Sequence, residues 1–377
     1  MLLGAGNSHA VIRFEVAIGI FELRHHLNLT DQVWHFTFES ALYLKCLMTS
    51  NKFRRRLISG AVTIVSLVVA GMHRHASANY QKAFNLDQNF IDFEWVDSSR
   101  NRAVPVRFYA PSQNTFETTA LPLVIFSHGL GGSRTGYSYL ARHFARNGVA
   151  SLHLQHVGSD RNVWGGNVFG LVERIASALQ TSESIARVQD LSFALDMILS
   201  SDLVKHIDKS RIAAAGHSYG ANTALLAAGA QVRQNGQFKY FSDKRIRASI
   251  AISAPHYYGK EDTLRSLASV SVPSLHITAT EDNIRMPGYF SGVQDRLDVF
   301  KATGSAMKWL AVFDGGSHSV FTDRIGTGGA TLNPKIKLAT AELATGFLKT
   351  VFQETESVAN EWTEKHADII SKTIFNS

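Results

Sequence analysis

The pentapeptide Gly-His-Ser-Tyr-Gly at residues 216–220 is the feature that most constrains how this chain can fold. It follows an apolar run at residues 211–215 and precedes a run at 221–230 whose composition favours a helix. A G-x-S-x-G segment between a strand and a helix is typical of a nucleophile elbow, a sharp turn that exposes its serine at the C-terminal end of a sheet. The two glycines let strand and helix pack against the turn, because neither carries a side chain. The sequence therefore predicts a nucleophilic Ser218 and a serine hydrolase.

Length and composition favour one large α/β domain. The chain has 377 residues, of which 45% are hydrophobic, enough to bury a single large core. Its formal charge of +7 is unevenly distributed: residues 1–78 hold eight of the 38 basic and four of the 31 acidic residues, so residues 79–377 carry 30 against 27. A nucleic-acid-binding domain normally clusters its basic residues. The sequence has no such cluster, and we expect no nucleic-acid partner.

The segment at residues 48–78 has the pattern of a secretory signal peptide. Lys-Phe-Arg-Arg-Arg precedes sixteen uncharged residues at 57–72, and Ala-Ser-Ala ends the segment at Ala78. A basic region, a short apolar region and an Ala-x-Ala end are typical of a cleaved leader, so we expect cleavage after Ala78 and a secreted or periplasmic protein. The alternative is a membrane anchor formed by residues 57–72, but this run falls short of the ~20 residues that span a bilayer.

The position of this leader bears on the residues before it. Signal peptides begin a chain, and Met48 stands at the right place to initiate translation. We therefore expect residues 1–47 to be an upstream extension or disordered, and residues 79–377 to form a single domain without a stable membrane span. The one cysteine, Cys46, lies in this extension, so neither a disulfide framework nor a thiolate metal cluster is expected.

From about residue 90 onward, short β-like runs alternate with helical ones, which indicates an α/β sheet protein. Besides the elbow strand, strand-like runs lie at residues 90–96, 104–109, 121–127, 149–156, 248–253, 274–280 and 307–313. Helical patterns lie at 137–147, 185–199, 292–303 and 336–352, and a further amphipathic run at 356–375 is expected to cap the domain. The least regular stretch, residues 158–184, is longer than an ordinary connection and predicts a lid over the site.

A glycine-rich loop, Ser-His-Gly-Leu-Gly-Gly at residues 127–132, follows the strand-like run at 121–126. At the end of a strand, such a loop points backbone N–H groups at the negative oxygen that develops during acyl transfer. We assign the two donors of this oxyanion hole to the amides of Leu130 and of Tyr219, the residue after the predicted nucleophile. The glycine spacing does not match a nucleotide-binding P-loop.

The remaining partners of a catalytic triad follow the elbow along the chain. Asp282 comes after the run at 274–280 and is the predicted acid, with the adjacent Glu281 in reserve. His318 lies in a glycine-flanked loop after the last strand, and imidazole is a suitable base near neutral pH. His366, the other histidine beyond Asp282, lies within the terminal amphipathic run and is interpreted as a surface helix residue.

The paired histidines of the chain do not predict a metal site. His153 and His156 have no carboxylate cluster nearby in the sequence, and the pairs within residues 25–75 have no spaced partners. We expect no metal.

The chain resembles the α/β-hydrolase superfamily over roughly residues 90–355. Its segment at 124–135, Val-Ile-Phe-Ser-His-Gly-Leu-Gly-Gly-Ser-Arg-Thr, is similar to the opening of the platelet-activating-factor acetylhydrolase and predicted dienelactone hydrolase-like group. Its Gly-His-Ser-Tyr-Gly and Gly-Gly-Ser-His-Ser segments are also similar to those of cutinase-like polyester hydrolases and chlorophyllase-like esterases. The resemblance implies an eight-stranded, mostly parallel sheet flanked by helices, ester hydrolysis without a cofactor, and Ser218, Asp282 and His318 as the triad.

The sequence departs from these groups at two positions. The acetylhydrolases place their acid after the strand that follows the elbow helix, where this chain has Ser-Ala-Pro-His at residues 253–256. Dienelactone hydrolases proper use a cysteine nucleophile, where this chain has Ser218.

The predicted function is that of an exported serine carboxylic ester hydrolase that works through an acyl-enzyme on a small-molecule, lipid or polymer ester. A serine peptidase or amidase on the same fold is the alternative within catalysis, since a triad alone does not separate the two. A catalytically silent, hydrolase-like binding protein is the alternative outside catalysis.

Overall fold

A mixed sheet of nine strands forms the centre of the protein in its computed structural model. The structure describes residues 90–111, 120–167, 169–256, 262–286, 289–324, 327, 329–353 and 358–376. All of them belong to one compact unit, Gln81–Ser377.

The strands of the described residues are β1 (Phe90–Asp97), β2 (Arg102–Tyr109), β3 (Leu121–Ser127), β4 (Ala150–Leu154), β5 (Ile207–His217), β6 (Gln231–Gln234), β7 (Gln237–Tyr240), β8 (Ala248–Ile252), β9 (Ser274–Ala279), β10 (Ile284–Met286), β11 (Tyr289–Ser291), β12 (Lys308–Phe313) and β13 (Ile370–Phe375). The helices are α1 (Ser138–Arg146), α2 (Leu171–Ala178), α3 (Thr181–Leu199), α4 (Tyr219–Ala227), α5 (Thr263–Leu267), α6 (Val293–Ala302), α7 (Leu332–Gln353) and α8 (Ala359–Lys365). Short 3-10 turns lie at Arg161–Trp164, Asp202–His206, His318–Phe321 and Ala367–Ile369.

The order of strands in the main sheet is β1-β2-β4-β3-β5-β8-β9-β12-β13. The six central strands, β4 to β12 in this order, are parallel, whereas β1, β2 and β13 pair antiparallel at the two edges. Because parallel strands end at the same rim, the segments after β3, β5, β9 and β12 meet there. These segments carry the glycine-rich loop, Ser218, Asp282 and His318.

The central strands are buried on both faces, as their apolar sequences predict. Every residue of β3, β4, β8 and β9 is buried, which is typical of a parallel sheet covered by helices on each side. Helix α4 is itself buried along its whole length, and its small residues allow close packing against the sheet. The predicted α/β architecture, with a mostly parallel sheet flanked by helices, is confirmed.

The C-terminal segment explains why the sheet has nine strands and not the predicted eight. The run at residues 356–375 divides into α8 and the edge strand β13, which pairs antiparallel with β12. The sequence of β13, Ile-Ser-Lys-Thr-Ile-Phe, is rich in β-branched and aromatic residues, which favour a strand. His366 follows α8 and is buried, with its Nε2 atom 2.8 Å from a Glu342 carboxylate oxygen, so its interpretation as a surface residue is wrong.

The predicted lid, residues 158–184, contains a 3-10 turn, helix α2 and the start of α3. The carboxylate of Asp160 accepts a hydrogen bond from the Asn162 amide at 3.0 Å and so begins the turn. At its end, Trp164 Nε1 donates to the carbonyl of Gly131 at 3.2 Å. This segment therefore lies directly against the glycine-rich loop.

Within the described residues, no helix is both long enough and apolar enough to cross a bilayer. The expected extension at residues 1–47, the signal peptide at 48–78 and its alternative, an anchor at 57–72, lie outside the described residues.

Candidate active site

Ser218 occupies a strained turn between β5 and α4. Its backbone has φ 55° and ψ −122°, a conformation that L-residues rarely adopt. The flanking glycines are required by close backbone approaches: a Cβ built on Gly216 would lie 2.1 Å from the Gly220 carbonyl oxygen, and one on Gly220 would lie 1.9 Å from that of Ser127. The Ser218 amide donates to the carbonyl of Ile252 at 2.8 Å. Strand, turn and helix thus have the geometry of a nucleophile elbow.

The three side chains predicted to act together form one hydrogen-bonded row. His318 Nε2 lies 2.9 Å from Ser218 Oγ, and His318 Nδ1 lies 2.7 Å from Asp282 Oδ1. With the proton on Nδ1, the imidazole donates to the carboxylate and accepts from the serine hydroxyl. Asp282 is fully buried, whereas the His318 side chain is 18% exposed. The row is closed at its acid end and open at its serine end.

The other candidates for the acid and base roles lie outside this row. Glu281, the reserve acid, is exposed. Asp314, at the end of β12, is also exposed and accepts a long hydrogen bond from Thr280. His366 pairs with Glu342, as described above.

A shell of donors around Asp282 was not predicted from the sequence. The hydroxyls of Ser253 and Thr278 donate to its Oδ2 atom at 2.5 and 2.7 Å, and Arg296 Nη2 lies 3.4 Å from Oδ1. Burial alone would raise the pKa of Asp282, but the His318 hydrogen bond, the Arg296 charge and the Ser253 hydroxyl bring that pKa well below its usual range. The carboxylate therefore stays ionised at neutral pH.

The amides of Leu130 and Tyr219, the predicted oxyanion donors, have no acceptor among the described residues. Both residues border the cavity beside Ser218. The loop around Leu130 is otherwise fully engaged: the Gly131 amide donates to the Ser159 carbonyl at 2.9 Å, and the Gly132 amide donates to the Gly129 carbonyl at 3.0 Å. Unengaged N–H groups beside a nucleophile suit a developing negative oxygen.

His217 connects the glycine-rich loop to the backbone of His318. The Gly129 amide donates to the Tyr137 hydroxyl at 3.2 Å, and that hydroxyl lies 2.9 Å from His217 Nδ1. On the other side of the ring, His217 Nε2 lies 3.1 Å from the His318 carbonyl oxygen. Burial and the neighbouring His318 hold the pKa of His217 well below its usual range, and burial raises the pKa of Tyr137 to about 12. Both side chains are neutral and serve to join two parts of the site.

A cavity of about 850 Å³ opens in front of Ser218. One wall is the hairpin β10–β11, which lies outside the main sheet and was not predicted; it contributes Ile284, Met286, Tyr289 and Phe290. Another part of the lining is the predicted lid segment, which contributes Arg161, Trp164, Leu179 and Ser184. The cavity is large enough for a bulky, mainly apolar ligand next to the serine.

One group of side chains in the described part of the chain has the composition of a cation site. Ligand atoms of His256, Asp295 and Asp298 lie within 4.8 Å of one another, and the first two residues border the cavity. His256 Nε2 is 2.8 Å from Asp295 Oδ1, and this short contact brings the ligand atoms of these two residues together.

Comparison with known proteins supports the fold and its class. The sequence model of the family described as "Platelet-activating factor acetylhydrolase, isoform II" matches residues 96–162, which include the glycine-rich loop but not the elbow. No curated protein matches the chain significantly in sequence. Among solved structures, a ferulic acid esterase from Streptomyces cinnamoneus is similar with a TM-score of 0.55 and 18% identity, over 75% of this chain and 96% of that one.

Two further solved structures are similar at lower scores. A dienelactone hydrolase from Anabaena variabilis has a TM-score of 0.46 and 16% identity, over 70% of this chain and 99% of that one. A cold-adapted esterase from an Arctic intertidal metagenomic library has a TM-score of 0.44 and 19% identity, over 69% and 94%. Because the ferulic acid esterase shares only 18% sequence identity with this chain, its structural similarity establishes the fold alone. That fold is the α/β-hydrolase fold. Together with the family match, it supports a hydrolase related to esterases.

Proposed function

We propose that this α/β-hydrolase-fold chain is a serine hydrolase that cleaves carboxylic esters through an acyl-enzyme. The observation that carries the proposal is the row Ser218–His318–Asp282, which ends in a cavity beside two unengaged amides. A buried ionised acid, an imidazole held in one tautomer and an accessible hydroxyl are the parts that this chemistry needs.

In the proposed reaction, Ser218 Oγ attacks the ester carbonyl while His318 Nε2 takes its proton. Asp282 holds the imidazole by its Nδ1–H and stabilises the imidazolium that forms. The Leu130 and Tyr219 amides donate to the oxyanion of the tetrahedral intermediate. His318 then returns the proton to the departing alcohol, and water, activated by the same imidazole, releases the acid and restores Ser218.

We propose an ester as the substrate, and not an amide, for two reasons: the comparisons with known proteins and the lining of the cavity. The family match names an acetylhydrolase, and the ferulic acid esterase with the same fold also acts on an ester by its name. The walls beside Ser218 are mainly apolar and include aromatic side chains, so the acyl or alcohol part is expected to be bulky and apolar, in a small molecule, a lipid or a polymer. A peptidase or amidase, or a silent binding protein, is the alternative.

Turnover of short and medium p-nitrophenyl esters, measured beside labelling by a fluorophosphonate probe, tests this function. We expect hydrolysis and labelling by the wild type, and for Ser218→Ala a loss of at least ~10⁴-fold in kcat, because the nucleophile is removed. The melting temperature should stay within a few degrees. Labelling without ester turnover would indicate a peptidase or amidase, and neither labelling nor turnover would indicate a binding protein.

We further propose that residues 48–78 direct export and are removed. The pattern of basic, apolar and Ala-x-Ala regions supports this proposal. Intact-mass analysis of the secreted protein should give a mature start at Asn79, and a retained segment at 57–72 in a membrane fraction would favour the anchor instead.

A further inference from the structure

Arg187, on helix α3, is a fully buried arginine that the proposed reaction does not use. Its guanidinium lies between the glycine-rich loop and the elbow helix α4. Burying a cation is costly unless all of its donors are matched by partners. The identity of those partners therefore indicates what the side chain is for.

On one side, Arg187 holds the segments that carry the first oxyanion donor. Its Nη2 atom donates to the carbonyl oxygen of His128, two residues before Leu130. Its Nη1 atom donates to Ser159 Oγ at 2.7 Å, and the Ser159 carbonyl accepts the Gly131 amide at 2.9 Å. The guanidinium thus fixes the loop directly at residue 128 and indirectly at residue 131, on either side of Leu130.

On the other side, Arg187 holds the residue that carries the second donor. Its Nε atom donates to Thr223 Oγ1 at 3.0 Å, and the Thr223 hydroxyl donates in turn to the Tyr219 carbonyl at 3.2 Å. The guanidinium carbon also lies 4.4 Å from the centre of the Tyr219 ring, a cation–π contact. The Tyr219 hydroxyl is 2.7 Å from Ser184 Oγ, which prevents the ring from turning away.

The geometry of these contacts requires an arginine. A guanidinium is a planar fork whose three nitrogens donate in fixed directions, whereas a lysine ammonium is a point charge on a flexible stem. Burial lowers the pKa of Arg187, and the Tyr219 hydroxyl and the carboxylates of Glu183 and Asp190 oppose this effect. Glu183 is also linked to the network directly, because it accepts the Ser159 hydroxyl at 2.8 Å.

We propose that Arg187 is the positioning residue of the oxyanion hole: one guanidinium joins the loop of Leu130 to the helix of Tyr219 and so sets the separation of their two amides. This inference rests on the proposed function, since it assigns a support to the oxyanion hole of that reaction. Arg187 acts through these amides and does not itself border the cavity.

Arg187→Lys, which keeps the charge and loses the fork, is the main test. The loss of one oxyanion donor typically lowers the rate ~10²–10³-fold, and the misplacement of both donors should cause part of that loss. We therefore expect kcat for a p-nitrophenyl ester to fall about 10- to 100-fold, while KM stays within about twofold of the wild-type value. Affinity for a trifluoromethyl ketone, whose adduct with serine carries an oxyanion, should fall by the same factor as kcat/KM. The final extent of fluorophosphonate labelling measures the folded, reactive fraction, and all rates are divided by it.

Arg245→Lys is the matched control. Arg245 also donates to several partners, Asp243, Asp196 and the Ser192 carbonyl, but it does not border the cavity. We expect its kcat and ketone affinity to match the wild type. If Arg187→Lys does not fold, Thr223→Val and Ser159→Ala carry the test, because each removes one acceptor and keeps the guanidinium; kcat should fall several-fold in each.

The outcomes separate the two proposals. A wild type that neither hydrolyses esters nor reacts with the fluorophosphonate would overturn the proposed function. An active wild type whose Arg187→Lys, Thr223→Val and Ser159→Ala variants melt earlier, but keep the wild-type kcat and ketone affinity per labelled site, would overturn the positioning role alone.

Discussion

Two serine–histidine–aspartate rows lie in the described part of the chain, and one of these two meets the cavity. In the row Ser218–His318–Asp282 the two contacts are 2.9 and 2.7 Å. In a second row, His156 Nε2 lies 3.1 Å from Ser127 Oγ and His156 Nδ1 lies 3.0 Å from Asp190 Oδ2. The order of groups and the ring atoms used are the same, so hydrogen-bond geometry alone does not distinguish the rows.

Access and charge distinguish them. Ser127, His156 and Asp190 are each 0% exposed, and none borders the cavity, whereas Ser218 does. Burial, with the nearby charges of Arg187, Arg102 and Arg100, holds the pKa of His156 well below its usual range. A general base must accept a proton as its nucleophile attacks, and His156 is held in the neutral form.

The second row therefore acts as a structural link. Ser127 ends β3, His156 follows β4, and Asp190 lies on α3, where it also pairs with Arg100 and Arg102. The His156 amide donates to His128 Nε2 at 3.1 Å, which extends the link to the glycine-rich loop. The comparison shows that a triad is defined by what its serine can reach and by whether its imidazole can take charge.

The largest difference should come from the acid of the open row. Asp282→Asn is expected to lower kcat by ~10³–10⁴-fold, because an amide no longer selects the productive tautomer of His318 or stabilises its charged form. Steady-state kinetics on a p-nitrophenyl ester measure this loss. Glu281→Gln, the exposed neighbour, is the matched control and should stay within twofold of the wild type. The reverse ranking would move the acid role to Glu281.

A smaller effect, on stability more than on rate, is expected from the buried row. Ser127→Ala leaves His156 Nε2 without its hydroxyl partner, at a cost of about 1–3 kcal/mol in the free energy of unfolding. Urea denaturation measures this cost. The variant should keep more than a tenth of wild-type kcat, in contrast to Ser218→Ala. A loss as large as that of Ser218→Ala would mean that the buried row takes part in the reaction.

The smallest effect is a change in how stability depends on pH. The native pKa of His156 lies below the unfolded value of about 6.5, so below that pH the unfolded chain binds a proton that the native state does not, and stability falls as the pH falls. His156→Gln removes one such group and should make the decline between pH 6 and pH 5 shallower by up to about 1.4 kcal/mol per pH unit. Urea denaturation of both proteins at several pH values measures the slopes. Equal slopes would mean that His156 binds a proton in the native state as readily as in the unfolded chain.

Much of the fold could be predicted because the central strands are nearly continuous apolar runs. The predicted run at 121–127 coincides with β3, and those at 248–253, 274–280 and 307–313 each differ from β8, β9 and β12 by one terminal residue. The C-terminal run was misjudged, because α8 and β13 together span too few residues for either periodicity to stand out. The hairpin β10–β11 has strands of three residues each and gives even less signal.

For the candidate site, the sequence predicted the three residues that the structure brings together, since each follows a recognisable strand; their catalytic roles remain proposals. It did not predict their supports. Ser253, Arg296 and Arg187 act through side-chain contacts between elements far apart in the chain, and nothing in their local sequence distinguishes them from ordinary polar residues. His156 was considered as a metal ligand, and its carboxylate partner, Asp190, lies 34 residues further along on a helix.

The contact between Gly220 and the Ser127 carbonyl limits how this protein can be altered. No side chain of any size fits between the elbow helix and the end of β3, so the turn that carries Ser218 has almost no tolerance for substitution at Gly220. The hairpin β10–β11 and the turn at Arg161–Trp164 touch the same cavity with partly exposed side chains and have room to vary. For the proposed esterase, changes of substrate preference, whether by evolution or by engineering, are therefore to be sought in these two parts of the cavity lining, while the turn at Ser218 stays fixed.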